Sequence, residues 1–356
     1  MSSTPPPSDS SQDESDTSTN RPVASDELLP PVEPPSARFI VQLFVLPAVI
    51  VLFVVLIWLL VTTLATRSEQ NPQQIVEVLR SSSQNRWQKA NELADMLRLE
   101  ERYPELKQNT ELASDLATLL EEQVEAAETD DNSVQLRYFL CRVLGEFKVD
   151  EGLGVLLQAA REDVELDVRR EAINALAVLS KHLASEGKQI EHPELVETFA
   201  ALANDQDDLI RSQTAFALGV IVEQEEADPR LKEELIKLVD DLYLDARFNA
   251  ALGLARQGSL LAVPPLTEML DEETLVISLK GETTDAAQTY KRNMVLHNAL
   301  NAIENVREAN PEEDLSELRS ALERFIETAP NWETAGNVPP ALIERAQEVL
   351  AGFRKE

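Results

Sequence analysis

ELDVRREAINALAVL (165–179) and DDLIRSQTAFALGVI (207–221) decide the fold, because they carry one pattern twice. In each, an apolar residue precedes an arginine (Arg169, Arg211), a leucine follows seven residues later (Leu176, Leu218), and the next residue is small (Ala177, Gly219). Working outward, SVQLRYFLCRVLGEF (133–147) repeats it with Arg137, Leu144 and Gly145, and YLDARFNAALGLARQ (243–257) with Arg247, Leu254 and Ala255. Spacings of 32, 42 and 36 residues between the arginines suit a two-helix unit with loops of varying length. KRNMVLHNALNAI (291–303) is a weaker fifth copy: Ala299 and Leu300 match, but Arg292 is displaced by one position.

Apolar residues recur at helical spacing within each copy and also between them, in EGLGVLLQAA, PELVETFAALA, LKEELIKLVDDL and AVPPLTEMLD. Proline opens or precedes several of these intervening runs (Pro193, Pro229, Pro264, Pro265), as a first helical turn tolerates. The small residues, Ala215 and Ala250 among them, let neighbouring helices approach, and the leucines fill a core that no single unit could bury. Aspartates ahead of each second helix (Asp130, Asp131, Asp167, Asp207, Asp208, Asp245) are expected to cap its free N–H groups. The repeated arginines are expected to reach carboxylates of the adjacent unit as a structural ladder, with a ligand site as the other reading.

The second-helix pattern resembles the HEAT-like repeat family, including its phycobilisome-lyase-type subgroup, whose typical form is D-x-x-V-R-x-x-A-x-x-A-L-G. The resemblance covers about 130–305 and implies an all-α fold, a right-handed α-solenoid of helical hairpins. Segments 70–130 and 306–356 lack the signature and are expected to cap or extend the stack. The stretch DEETLVISLKGETTDAAQ (271–288) breaks the rhythm and reads as a loop or insertion. On function the pattern is almost silent, because such folds carry it on particular surfaces.

A second element lies far from the repeats. Residues 1–37 are rich in Ser, Thr, Pro and acids, a composition that cannot bury enough apolar surface to order itself, so an acidic disordered tail is expected. Then Phe39 to Ala65 runs 27 residues without a charge, closed by Arg38 and Arg67. A helix crosses a bilayer core with about 20 apolar residues, so 38–66 reads as one transmembrane helix, kinked at Pro47. It is too long, and too far from the N-terminus, for a cleaved signal peptide. Arg67, Arg80 and Arg86 against Arg38 and Arg21 tilt the balance toward a cytoplasmic repeat domain.

The 356 residues hold 64 acids against 32 bases, a formal net of -32. That field repels phosphate backbones, so nucleic acid is not an expected partner. One cysteine, Cys141, excludes an internal disulfide and a cysteine-based zinc site. His182, His192 and His297 form no metal-ligand spacing, and in particular none of the His-Glu pairs of di-iron HEAT-type hydroxylases. The ten glycines form neither a phosphate loop nor a nucleophile elbow. Catalytic, cofactor and metal residues are therefore expected to be absent, with Cys141, Trp87 and Trp332 in the core. The expected function is a membrane-anchored scaffold for protein partners, basic ones preferred. Two alternatives stay open: an accessory subunit of a membrane enzyme or transporter held through the transmembrane helix, and a lyase-like enzyme.

Overall fold

A computed structural model describes residues 36, 38, 41–67, 72–81, 85–99, 103, 105–224 and 226–353. The expected disorder of the tail and the transmembrane end at Phe39 fall outside the described residues, Ser36 apart. Among the described residues there are 16 α-helices and no strand, and the chain divides into two units, 1–69 and 70–356.

The first unit contains a π-helical turn, Val41–Val45, that runs into α1, Leu46–Arg67. The change of helix type falls just before Pro47, which has no N–H to close an i→i−4 bond. Val41–Leu60 has a mean hydropathy of 3.2, and none of it is buried against the rest of the chain. Ala65, the other expected end of the span, lies within α1.

The second unit is the α-solenoid that the repeats imply. Its helices are α2 (Pro72–Arg80), α3 (Arg86–Arg98), α4 (Thr110–Ala126), α5 (Asp131–Gly145), α6 (Leu153–Glu162), α7 (Leu166–Ser185), α8 (Leu195–Ala203) and α9 (Asp208–Ile221). There follow α10 (Pro229–Leu238), α11 (Leu244–Ala255), α12 (Val263–Glu268), α13 (Glu272–Ser278), α14 (Asp285–Ala309), α15 (Ser316–Thr328) and α16 (Pro340–Gly352). They pair as hairpins α2/α3, α4/α5, α6/α7, α8/α9, α10/α11, α12/α14 and α15/α16. Second helices pack on one another in the order α3, α5, α7, α9, α11, α14, α16, and first helices do the same from α2 to α10. This layering buries one continuous core, from Ile75 to Leu350, that no hairpin could bury alone.

A domain boundary at 130 would cut a hairpin, because α4 packs directly on α5. The flanking segments are themselves hairpins of the stack. The 271–288 insertion supplies α13, inserted between the two helices of the α12/α14 hairpin.

Small residues set the tightest contacts. A β-carbon on Gly253 would meet the Gly219 Cα at 2.6 Å, and one on Gly145 the Ala175 Cα at 2.9 Å. Those glycines are what allow α9 to lie against α11, and α5 against α7.

Candidate binding surface

The four repeat arginines stand along one edge of the stack, each bridging to the next unit. Arg137 donates to Asp163 at 2.7 Å, Arg169 to Asp205, Arg211 to Asp241 at 2.7 Å, and Arg247 to Glu268 at 2.8 Å. Each also donates to a backbone carbonyl ahead of its own second helix: Glu128, Ala160, Asp205 and Asp241 respectively. Asp205 and Asp241 thus each join two arginines, one through the carboxylate and one through the carbonyl. The carboxylates of Asp163, Asp205 and Asp241 accept a further bond from the backbone N–H two residues on, at 2.9, 2.9 and 2.8 Å. Each acid therefore shapes the turn into its own second helix while holding the preceding unit.

Electrostatics follow this geometry. Burial pushes the Asp205 carboxyl up, but the Asp207 N–H and Arg169 outweigh it and hold it below its ordinary value. For Asp241, Arg211 and the Tyr243 N–H overcome burial in the same way. Each of these arginines thus ties its own unit to the next, and Arg211 spends all of its guanidinium nitrogens doing so.

The capping expectation needs correction. Asp130 caps α5, accepting from Asn132 and Ser133, and Asp207 caps α9, accepting from Leu209 and Ile210. Asp131, Asp167, Asp208 and Asp245 instead lie inside the first helical turn. There Asp245 accepts from Lys291, Ser278 and Tyr243 at 2.7, 2.9 and 3.1 Å. Arg292, the displaced fifth arginine, is fully buried and donates to the carbonyls of Thr334, Gly336 and Asn337.

The residues with chemical potential hold structural posts. His182 lies 3.4 Å from Glu146 and 3.3 Å from Lys107, and Arg98 reaches Glu146 at 2.7 Å. Burial pushes Glu146 up, yet the bonds from His182 and Arg98 hold it below its ordinary value. His192 accepts the Glu194 N–H at 3.2 Å, and His297 pairs with Asn301 at 3.1 Å. Cys141 is fully buried, and burial, then Glu171 and Asp163, push its thiol well up, away from the nucleophilic thiolate. Trp332 packs edge-on against Phe325 in the core, while the half-buried Trp87 stacks on Phe139. Among the described residues no group of three or more His, Cys, Asp or Glu could hold a metal ion.

Two grooves open on the second-helix face. One, of about 460 Å³, lies across α5, α7 and α9, among Gln135, Tyr138, Asp167, Arg170, Glu171 and Asn174. The other, of about 700 Å³, lies across α9, α11, α13 and α14 and shares Arg170 and Gln213 with the first. Leu209, Leu242, Ile277, Tyr290 and Met294 line it, exposed by 38%, 95%, 56%, 73% and 44%. The first groove is mixed in polarity and the second is the more apolar of the two. Sequence reasoning read 271–288 as a loop or insertion rather than a site, although an insertion on one face of a solenoid is a common place for binding. It named none of these apolar lining residues, because an apolar residue on a helix reads as core until its neighbours are known.

A family comparison agrees with the repeat reading. Residues 120–219 match the HEAT repeats family. That stretch runs from the second half of α4 to α9. No curated protein matches the sequence. A designed armadillo repeat protein, solved with a (KR)4 peptide, is 14% identical, with 80% of this chain and 100% of that one covered and a TM-score of 0.37. YibA of E. coli is 21% identical over 76% of this chain and 98% of its own, with a TM-score of 0.36. Human deoxyhypusine hydroxylase is 17% identical over 82% and 99%, with a TM-score of 0.28.

Proposed function

We propose that the chain is a membrane-anchored, non-catalytic HEAT-repeat scaffold that binds protein partners along its second-helix face. The observation that carries this reading is the pair of adjoining grooves on that face, whose apolar half is left uncovered by the chain itself. Surfaces of that kind mark interaction sites. The anchor rests on α1. Covering a large apolar side chain is worth about 1.5–3 kcal/mol, and the segment Val41–Leu60 is apolar apart from Gln42, with every side chain exposed. A lipid bilayer covers such a helix completely. The flanking arginines favour a cytoplasmic solenoid, and the acidity of the chain favours basic partners reached by electrostatic steering. The uncovered surface of α1 also suits a second reading, an accessory subunit packed on another membrane helix.

Proximity labelling and pull-down of the full-length protein at low and high salt tests the proposal, with α1 exchanged for an unrelated anchor as the second arm. The scaffold reading expects a partner that survives the exchange and is lost as salt rises. A partner retained only with native α1 favours the accessory subunit. Complete release of the chain from membranes by alkaline carbonate would end the anchor.

A further inference from the structure

The apolar groove carries more than the general role of the face. It is walled by α9 and α11 of the repeat pattern and by α13 and α14, so the inserted helix α13 turns a plain helical face into a cleft. Leu242 and Ile277 stand on facing elements, the turn before α11 and α13 respectively, with Tyr290 and Met294 one helical turn apart on α14. Side chains this exposed contribute little to the fold, and covering them would contribute directly to binding.

The charges around the cleft select what covers it. Lys291 is committed to Asp245 at 2.7 Å and to the Ser278 carbonyl at 2.8 Å, with Glu282 at 3.7 Å. Arg170 lies 3.5 Å from Asp167, and Arg211 bridges Asp208 and Asp241. Lys280 is an exposed cation here, against the exposed carboxylates Asp208, Asp240 and Asp285, each within two residues of a lining position. The chain as a whole carries 64 acids against 32 bases. An acidic partner would meet that field at the mouth of the cleft, whereas a basic one is drawn to it.

We propose that this cleft is the docking site for a basic amphipathic segment of a partner protein, whose large apolar side chains enter between Leu242, Ile277, Tyr290 and Met294 while flanking lysines or arginines meet Asp208, Asp240 and Asp285. This inference rests on the scaffold reading and narrows it to one groove and one partner chemistry. Apolar anchors supply the affinity, and charge supplies the approach and the choice of partner.

The test uses the full chain in neutral phosphatidylcholine nanodiscs, with empty discs as the blank. Fluorescence anisotropy follows a dye-labelled amphipathic leucine/lysine peptide, with oligolysine of equal charge as the comparison probe. The amphipathic peptide should bind the more tightly of the two. Leu242→Glu with Ile277→Glu, both at exposed positions, should weaken it at least about tenfold with the circular-dichroism melting curve unchanged. Asp208→Asn with Asp240→Asn should weaken it less and flatten its salt dependence. Equal binding of oligolysine, or indifference of the amphipathic peptide to the glutamate pair, overturns the proposal. Self-association of the chain that the glutamate pair abolishes would also overturn it, in favour of a second copy as occupant. If partner pull-down survives the glutamate pair but is lost with Asn174→Arg and Gln135→Arg, which touch only the first groove, the scaffold reading stands and this groove is not the site. If pull-down ignores both sets of substitutions, the scaffold face itself is wrong.

Discussion

Among the described residues two arginines are fully buried, and the stack satisfies them in opposite ways. Arg137, at the start of the ladder, faces a carboxylate: its guanidinium donates to Asp163 at 2.7 and 3.3 Å and to the Glu128 carbonyl at 2.7 Å. Arg292, in the displaced fifth copy, has no carboxylate among its hydrogen-bond acceptors. It donates to three carbonyls of the 334–337 loop and to the Asn293 side chain. Burial pushes the Arg292 guanidinium below its ordinary value, only partly offset by Glu272. What the repeat demands of its successor is a set of acceptors for a buried fork of N–H donors; a charged partner is one way to provide it. The position is the same in both: Asp163 lies in the turn before α7, and residues 334–337 lie in the turn before α16, each the second helix of the following hairpin.

Breaking the two sites should cost different amounts. Replacing Arg137 with Met leaves the Asp163 carboxylate, 1% exposed, without its cation. Breaking a buried pair from one side costs about 3–5 kcal/mol, so Arg137→Met should show the largest loss of stability by thermal or chemical denaturation. Adding Asp163→Leu should recover a substantial part, because the pair's desolvation then disappears with it. A double variant no more stable than the single one would mean the site is held by packing alone.

Arg292→Met removes a charge that no carboxylate balances by direct contact, so nothing ionic is orphaned. The loss is then of hydrogen bonds to the carbonyls of Thr334, Gly336 and Asn337. At about 1–3 kcal/mol for an unsatisfied buried group, and with the loop free to reopen to water, a loss of about 2 kcal/mol is expected. Hydrogen exchange should locate it at 334–337 and α16, with the ladder repeats unaffected. A loss equal to that of Arg137→Met would erase the distinction between the sites.

Acid sharpens the comparison further. The folded-state values of Asp205 and Asp241 lie below their ordinary ones, so the stability they contribute is fully present above the unfolded value of about 4 and is lost as pH falls through the folded values. Asp241→Asn should be less stable near neutral pH by about 1–2 kcal/mol, and its melting temperature should fall less steeply than the parent's below about pH 4. Arg292→Met should keep the parental acid limb, since its site holds no such carboxylate. An unchanged limb in Asp241→Asn would remove the ladder acids as a cause of acid unfolding.

The ladder shows how far the sequence could be read. The arginines, leucines and small residues announced themselves because a solenoid forces them to recur, and Gly145 and Gly219 sit at the close approaches their positions implied. The acceptors were harder, because aspartates abound and the sequence singled out no particular carboxylate of the adjacent unit, reading Asp167, Asp208 and Asp245 as caps. A usable signal did exist: Asp163, Asp205 and Asp241 each lie six residues before the next repeat's arginine. The Arg292 acceptors had no comparable signal. Backbone carbonyls carry no side-chain identity, and those of 334–337 come from more than 40 residues away. The binding cleft was illegible for a related reason. Leu242 and Ile277 differ from core residues only in what is missing around them.

The smallest effect concerns how that loop is held. Ala335 and Gly336 have φ of 57° and 79°, two successive left-handed residues, and only the glycine adopts that conformation without cost. The alanine is kept there by its neighbours' bonds: Thr289 donates to the Ala335 carbonyl at 2.7 Å, Thr334 donates to Glu272 at 2.9 Å, and Arg292 takes the carbonyls on either side. Left-handed backbone costs a residue with a β-carbon about 1–2 kcal/mol. Ala335→Gly relieves that strain, while the freer unfolded chain takes back about 0.4–1 kcal/mol. A net gain of about 0.5–1 kcal/mol is therefore expected in the parent. In the Arg292→Met background the gain should shrink or change sign, since a loop no longer pinned can relax Ala335 out of the strained region and only the entropic loss from glycine remains. Equal gains in the two backgrounds would mean that Arg292 does not hold the turn, and that the carbonyl cradle follows from the loop's own conformation.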